Sequence, residues 1–487
     1  VIANPDWSHD RDSLRRPLCV DLDGTLLSTD LLLETFVRYV KPNPLRIFRV
    51  IAWALQGRAR LKARLAEAVD LDVQTLPVNE PFLEWLQGEK RAGRRLLLCT
   101  AANDRIARRV AQRFGLFDEI LASGEGTNLS GRAKAQQLVS RFGVAGFDYA
   151  ANERKDLHVW RQAHAAVVVA PPALARHVAA QSILVARSFA VARGGTELLK
   201  TWLSALRLHQ WTKNLLLFVP LIAAHRVTDA AAFSTCLIGV ILFGMCASGG
   251  YIVNDLLDLD ADRSHPRKRL RPFAAGRLSI LHGLLAAAGL VLGAMLIAVW
   301  LLPPLFAPAL AVYLATSLWY SIALKRIAMV DVLALAGLYS VRIIAGGVAV
   351  AIVPSFWLLA FSMFLFLSLA AAKRYAELHA ANHAGRNDAP GRGYTTADLP
   401  LLQSSGLASG YLSVLVLALY VNSSAAEMYS RPQVMWLLCP VLLYWMNRVW
   451  LKTTRGQMHH DPVVFALTDR PSWITFAAGA VLAWLAV

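Results

Sequence analysis

Two carboxylates one residue apart close an apolar run, in the string Asp21, Leu22, Asp23, Gly24, Thr25. An aspartate so placed can attack phosphorus to form an acyl phosphate, and its neighbour can protonate the leaving oxygen. Thr100 ends a second apolar run over 95–100, and Lys134 opens a helical pattern over 133–142. A hydroxyl and an ammonium there would hold the transferred phosphoryl group, with Mg²⁺ neutralising its charge. An ordinary acidic turn accounts for one such string, but poorly for four elements in this order. A second set follows a long apolar run: Asn254, Asp255, Asp258 and Asp262. Spacings of three and seven put the three acids on one face of a helix. Like charges at a helix C-terminus repel one another and oppose its dipole, a conflict that a divalent cation removes. Mg²⁺ held by one or two carboxylates plus substrate phosphates is the usual arrangement for pyrophosphate chemistry.

The elements that must position these groups belong to two halves of different texture. Residues 1–200 carry charges throughout, and 1–16 is polar without a hydrophobic signal core, so this half is expected in the cytoplasm. Its continuous apolar strands, including 147–152 and 165–170, alternate with helical patterns and predict an α/β domain with a parallel sheet covered on both faces. From about Trp211 long uncharged runs take over: 232–253, 278–302, 304–324, 354–372 and 471–487, with weaker runs at 214–224, 329–350, 406–426 and 432–447. Most approach the ~17–25 residues that cross a bilayer, which predicts an all-α bundle of nine transmembrane helices. The loops 254–277, 325–328, 373–405 and 448–470 hold most basic residues of this half, whereas the opposite loops hold only Arg226 and Arg431. The positive-inside rule then puts those loops and the N-terminal half in the cytoplasm and the C-terminus outside. Trp319, Tyr320, Trp357, Trp436, Tyr444, Trp445, Trp450 and Trp473 suit an interfacial belt.

Over 487 residues, 56% are apolar and only 17% charged, which excludes an all-soluble or disordered chain. The net charge of +17 favours anionic partners. Membrane topology and phosphate chemistry absorb that charge, so nucleic-acid binding is not expected. Five scattered cysteines without a CxxC pair support neither a disulfide framework nor a zinc site.

The Asp21–Thr25 string with Thr100 and Lys134 resembles the haloacid dehalogenase (HAD) phosphatase superfamily over 15–190. The resemblance implies Asp21 as nucleophile, Asp23 as acid/base, Thr100 and Lys134 as phosphoryl ligands, and a helical cap at about 29–89. It also implies Mg²⁺ ligation by Asp21, Asp23 and a fourth motif at 150–156. There the sequence departs from the pattern, with Asn152 where an aspartate often ligates and Asp156 retained. A neutral amide is the weaker ligand; the domain is nevertheless read as active.

The Asn254–Asp262 motif is similar to that of the intramembrane prenyltransferase (UbiA) superfamily over roughly 200–487. The strings around Lys213 and Asn214, from His265 to Gly276, from Tyr320 to Lys325, Asp331, and Arg342 with Gly346 and Gly347 look like its decaprenyl-phosphate phosphoribosyltransferase branch. Where prenyl-diphosphate enzymes carry a second aspartate cluster, this chain has Lys373, Arg374 and Glu377. The resemblance implies Mg²⁺ at Asp255, Asp258 and Asp262, and substrate contacts from Lys213, Asn214, Asn254, Lys268, Arg269, Arg271, Tyr320, Lys325, Asp331, Arg342, Lys373, Arg374 and Glu377. The implied partners are 5-phosphoribosyl-1-diphosphate (PRPP) and a polyprenyl phosphate. One acidic cluster among many cations suits two phosphorylated substrates meeting at once. Arg267, Arg277 and Arg386 read as topology determinants, and His209, His265 and His282 as packing or interfacial residues.

The expected organisation is a HAD-like domain over 1–190, a linker or interfacial segment at 191–210, with linker character beginning in a basic stretch at about 171–201, and a UbiA-type domain over 211–487 of an inner-membrane protein that allows an oligomer. Fused phosphate-handling domains predict consecutive steps: phosphoribosyl transfer, then removal of the ribose 5-phosphate. The alternatives are an aromatic prenyltransferase using a prenyl diphosphate with a regulatory or inactive HAD-like domain, and a transporter. The latter calls for paired, internally repeated halves, which the sequence lacks.

Overall fold

A computed structural model describes residues 2–3, 14–124, 128–190, 195–388, 391–423, 429–458 and 462–486. The start of the expected linker, the end of the expected 406–426 span and the terminal residue of the 471–487 span lie outside the described residues. The chain forms two compact units, Val1–Leu206 with Ile252–Ala286, and Arg207–Tyr251 with Ala287–Val487.

The first unit is built on a seven-stranded sheet: β1 (Ile2–Ala3), β2 (Leu18–Val20), β3 (Leu96–Asn103), β4 (Glu119–Ser123), β5 (Asp148–Ala151), β6 (Ala166–Val169) and β7 (Val185–Phe189). The order is β1-β7-β6-β5-β2-β3-β4, parallel except where β1 pairs with β7. Alternation along each strand divides its side chains between two cores. Leu18, Val20, Leu96, Leu98 and Val167 enter one; Cys19, Leu97, Cys99, Tyr149 and Val168 enter the other. This explains why the strands read as unbroken apolar runs. Helices α1 (Leu31–Val40), α2 (Arg46–Leu55), α3 (Arg58–Ala68) and α4 (Glu80–Arg91) lie between β2 and β3 in the chain. The basic stretch from 171 is not a linker at its start. It folds as a helix, Pro172–Ala179, and then as β7, whose apolar residues 185, 186 and 189 complete the sheet.

Among the described residues six helices are long and apolar enough to cross a membrane: Ala230–Leu257, Ile280–Leu301, Val330–Ala349, Phe356–His383, Thr396–Val421 and Pro432–Thr454. Phe306–Ile322 is a shorter apolar helix, and Arg470–Ala486 has 17 residues. The expected span at 214–224 is instead a 3₁₀ segment, Leu208–Phe218, joined to a five-residue helix, Val219–Ala223. Pro220, which lacks an N–H, sits in the first turn of that short helix, where a proline is tolerated. The second unit buries its own apolar cores, one around Phe243, Phe306 and Tyr313 and another around Phe366, Trp445 and Trp450.

Candidate functional sites

At the carboxyl ends of β2, β3 and β5, where parallel sheets bind ligands, the structure gathers three of the expected groups. The Lys134 ammonium donates to Asp21 Oδ1 at 2.7 Å, to the Cys99 carbonyl at 3.0 Å and to the Tyr149 hydroxyl at 2.8 Å. These contacts use all three of its donors. The Tyr149 hydroxyl in turn reaches Asp156 Oδ1 at 3.3 Å. Burial opposes the charge on Lys134, but Asp21 and Asp156 outweigh it and hold the ammonium above the usual lysine value. Burial, then the charge of Asp21, pushes Asp156 up to about 7. Burial, Asp30 and Asp21 push Asp23 up to about 8, although Asp23 Oδ1 accepts from the Leu31 N–H at 3.0 Å. At neutral pH Asp23 is therefore largely protonated, the state of a general acid.

Thr100 lies at the neighbouring strand, its Oγ1 accepting from the Ala102 N–H at 3.0 Å. Asn152 turns elsewhere: its Oδ1 accepts from the Thr25 hydroxyl at 3.1 Å. Its amide nitrogen packs so closely on Gly24 that a Cβ there would come within 2.2 Å. With φ at +74°, Gly24 is glycine on two counts. Lys62 has no counterpart in the sequence reading. It borders the same small cleft as Asp23, Thr35 and Asn103, and donates to the Ala101 carbonyl at 2.7 Å and to Asn128 at 3.1 Å. Its helix α3 reads as a generic basic amphipathic stretch, so no sequence signal separates Lys62 from Arg60 or Arg64.

The aspartate segment belongs to the same compact unit, and here the single-face helix is corrected. Helical backbone stops at Leu257, Asp258 adopts φ −99° and ψ 15°, and a short helix, Leu259–Arg263, follows. The break divides the acids. Asp255 and Asp262, each 2% exposed, converge on one nitrogen, Arg271 Nη1, at 3.1 and 2.7 Å. Asp258 instead faces Lys41, 3.8 Å away. Crowding of like charge at a helix C-terminus is the physical reason for the parting. Asn254 is half-buried, its carbonyl accepting from the Asp258 N–H at 2.9 Å. Lys268 and Arg269 are exposed.

Helix α1 runs from one acidic site to the other. Its first residue, Leu31, is the donor to Asp23. One turn later the fully buried Glu34 accepts from Arg38 at 2.5 Å and from Arg263 at 2.6 Å. Arg38 also grips Asp260 with two nitrogens. Burial opposes ionisation of Glu34, yet the two guanidinium groups hold it below the usual carboxylate range. Gly276, at φ +64°, lies so close to Ser28 that a Cβ would meet its carbonyl at 2.6 Å. Replacing Arg263 with methionine leaves Glu34 buried with half its counter-charge. We expect a loss of about 3–5 kcal/mol, seen as a lower urea midpoint for the first unit.

The second unit holds two further groups. In one, Arg374 is ion-paired to Asp331 and Glu377 and donates to the Tyr320 hydroxyl at 2.6 Å. Arg392 joins at Tyr320, and the Tyr394 hydroxyl donates to Asp331 at 2.5 Å. Two carboxylates thus neutralise Arg374. In the other, the buried Arg342 donates to Asn214 Oδ1 and to the Tyr313 hydroxyl, each at 3.0 Å. Among the described residues Arg342 has no carboxylate partner, and the Asn214 amide nitrogen has none of any kind. Lys213 lies 5.7 Å from the centre of the Tyr339 ring, which also faces Arg342. Lys325 and Lys373 are half-buried. Tyr313, Arg392 and Tyr394 escape sequence reading because nothing in their local strings marks them.

Among the described residues no three His, Cys, Asp or Glu side chains are gathered closely enough to hold a metal by themselves. Pairs are present. Asp255 and Asp262 already share one positive group, and the charge of Asp21 raises the cost of ionising Asp156. Such pairs fit a Mg²⁺ whose coordination substrate phosphates complete.

Comparison with known proteins accords with this division. Residues 215–468, more than half the chain, match the UbiA prenyltransferase family, and residues 18–158 match the haloacid dehalogenase-like hydrolases. The uncharacterized protein y4nM of Sinorhizobium fredii is 36% identical over 469 residues, covering 96% of this chain and 90% of its own. Nodulation protein NoeC of Azorhizobium caulinodans is 36% identical over 275 residues, 56% of this chain and 89% of its own. A decaprenyl-phosphate phosphoribosyltransferase of Mycobacterium tuberculosis is 40% identical over 186 residues, 37% of this chain and 61% of its own. The apolar helices together with the family match make the chain an integral membrane protein. It belongs to the UbiA prenyltransferase family and carries a HAD-like domain ahead of its UbiA domain.

Proposed function

We propose that the UbiA domain transfers 5-phosphoribose from PRPP to a polyprenyl phosphate, and that the HAD-like domain then removes the ribose 5-phosphate to leave polyprenyl-phosphoryl-ribose. The observation that carries this reading is the pair of buried carboxylates, Asp255 and Asp262, converging on a single cationic group. One acidic site suits one diphosphate. The other groups support phosphate binding rather than a second metal site, since Asp331 and Glu377 are taken up by Arg374 while Lys213, Asn214 and Arg342 offer donors. The 40% identity to a decaprenyl-phosphate phosphoribosyltransferase supports the same substrates.

In the transfer step an oxygen of the lipid phosphate attacks ribose C1 as the bond from C1 to the diphosphate oxygen breaks. That phosphate is already a nucleophile, so no strong general base is needed. Asp255, Asp258 and Asp262 would hold Mg²⁺, which supplies the charge that stabilises departing pyrophosphate. Asn254, Lys268, Arg269 and Arg271 are assigned to the diphosphate; Lys213, Asn214 and Arg342 to a phosphate; and Lys325 and Lys373 to supporting charge. Arg374, with Tyr320, Asp331 and Glu377, serves to position. In the hydrolytic step Asp21 attacks phosphorus, protonated Asp23 delivers its proton to the leaving ribose oxygen, and water then hydrolyses the acyl phosphate. Lys134 and Thr100 hold the phosphoryl oxygens, and Asp21, Asp23 and Asp156 would hold Mg²⁺. Asn152 contributes through Thr25 and Gly24 more than as a ligand.

We place the HAD-like domain at 1–190 with its cap at 29–89, a linker at 191–210 and the membrane domain at 211–487. We read nine passes, counting the irregular segment at 208–223 as the first, and the basic loops favour a cytoplasmic N-terminal domain with the C-terminus outside. The test is mass spectrometry of lipid products from the full chain given PRPP, Mg²⁺ and a polyprenyl phosphate. Dephosphorylated lipid-ribose supports both activities, and the 5-phosphorylated lipid alone supports only transfer. No lipid-ribose, with turnover of a prenyl diphosphate and an aromatic acid, would replace this reading with the aromatic prenyltransferase.

A further inference from the structure

Helix α2 leaves its apolar face uncovered. Val50 and Trp53 pack it against Tyr39, Leu61 and Leu65. On the other side Phe48, Ile51 and Leu55 recur at helical spacing and are 67%, 51% and 85% exposed, with Leu45 ahead of them at 68%. Isolated exposed leucines are ordinary, but a contiguous apolar stripe on a water-facing domain marks an interaction surface.

Along the flanking sequence the charge is of one sign, although Lys41 faces Asp258, Lys62 borders the Asp23 cleft and Arg64 pairs with Glu67. From 41 to 66 the chain carries Lys41, Arg46, Arg49, Arg58, Arg60, Lys62 and Arg64, and no aspartate or glutamate. Arg49, Arg58 and Arg60 are exposed. Bulky apolar residues on one face, with exposed Arg49, Arg58 and Arg60 beside them and no acid on the helix itself, are what an interfacial helix needs: the apolar face sinks to the acyl boundary while the cations meet anionic headgroups. An integral membrane protein also keeps such a helix tethered beside a bilayer at high effective concentration.

We propose that α2 docks its Leu45, Phe48, Ile51 and Leu55 face into the anionic surface of the bilayer that the chain spans. The docking does not depend on the reaction assigned above. It has a consequence for it, because α3 follows α2 after Gly57 and carries Lys62 to the Asp23 cleft. A docked α2 sets that cleft beside the leaflet that holds a lipid-linked phosphate.

The test uses the full chain reconstituted in vesicles, with single cysteines at Phe48, Leu55 and, as a water-facing reference, Glu67, each bearing a nitrobenzoxadiazole probe. The five native cysteines are buried, and the labelled parent chain gives the blank. In vesicles containing phosphatidylglycerol, probes at 48 and 55 should be blue-shifted and quenched several-fold more by spin-labelled lipid than by iodide, with the reverse at 67. Arg58→Glu with Arg60→Glu, or purely zwitterionic vesicles, should reduce lipid quenching at 55 several-fold. Equal iodide quenching at all three positions would overturn the proposal. So would shielding from iodide without lipid quenching that rises with protein density, which would instead assign the face to a second copy of the chain.

Discussion

Asp21→Asn should abolish phosphate release from the phosphoribosylated lipid, by ~10⁴-fold or more, while leaving transfer from PRPP intact. The size follows from the chemistry, since an amide oxygen cannot form the acyl phosphate and the cleft offers no second carboxylate in its place. Asp156 accepts from the Glu153 N–H and faces Tyr149, and Asp23 is held by Leu31. The fold should survive. Asparagine keeps the shape of the side chain, and Lys134 retains the Cys99 carbonyl, the Tyr149 hydroxyl and the nearby charge of Asp156. A loss below ~3 kcal/mol is expected, because the usual cost of breaking a buried ion pair is partly offset by relieving the repulsion between Asp21 and Asp156. Mass spectrometry should show the 5-phosphorylated lipid accumulating at the parent rate. Unchanged phosphate release would reduce the HAD-like domain to a scaffold, and a parallel loss of transfer would mean that Asp21 acts through folding.

The residues that carry the hydrolytic reading were legible because they sit where local sequence determines geometry. Asp21 and Thr100 fall at the carboxyl ends of apolar runs, and Lys134 opens a helix, so strand and helix periodicity alone bring them to one end of a parallel sheet. Lys62 and Tyr149 were not legible. One arrives from an inserted helix and the other points inward from β5, and only tertiary packing tells them from their neighbours. The apolar helices were legible by length, whereas the geometry of 214–224 was not. Its composition suits a span, but the turn from 3₁₀ segment to short helix is set by what packs around it. The hardest feature to foresee was α1. Glu34, Arg38 and Arg263 carry no motif, yet within the first compact unit they tie the start of the helical insert after β2 to the segment bearing the aspartates. The helix whose first residue donates to Asp23 ends among residues that pair with Asp258 and Asp260.

The broken aspartate helix separates roles that a continuous one would make equal, and this sets the second large effect. Asp255→Asn combined with Asp262→Asn should lower lipid-ribose formation on the order of 10³-fold, because both buried carboxylates at the shared cationic position lose their charge. Activation by Mg²⁺ should disappear from the titration rather than shift to higher concentration. Asp258→Asn should cost much less, about tenfold, since that side chain is partly exposed and faces Lys41 across 3.8 Å instead of joining the pair at Arg271. Hydrolysis of a small phosphate ester by the HAD-like domain gives the control and should persist in both variants, because no catalytic group of that cleft is altered. Equal losses in the two variants would restore the single-face arrangement. Full transfer by the double variant would remove the aspartates from the chemistry altogether. The predicted ranking follows from one geometric fact: two acids share a nitrogen and the third does not.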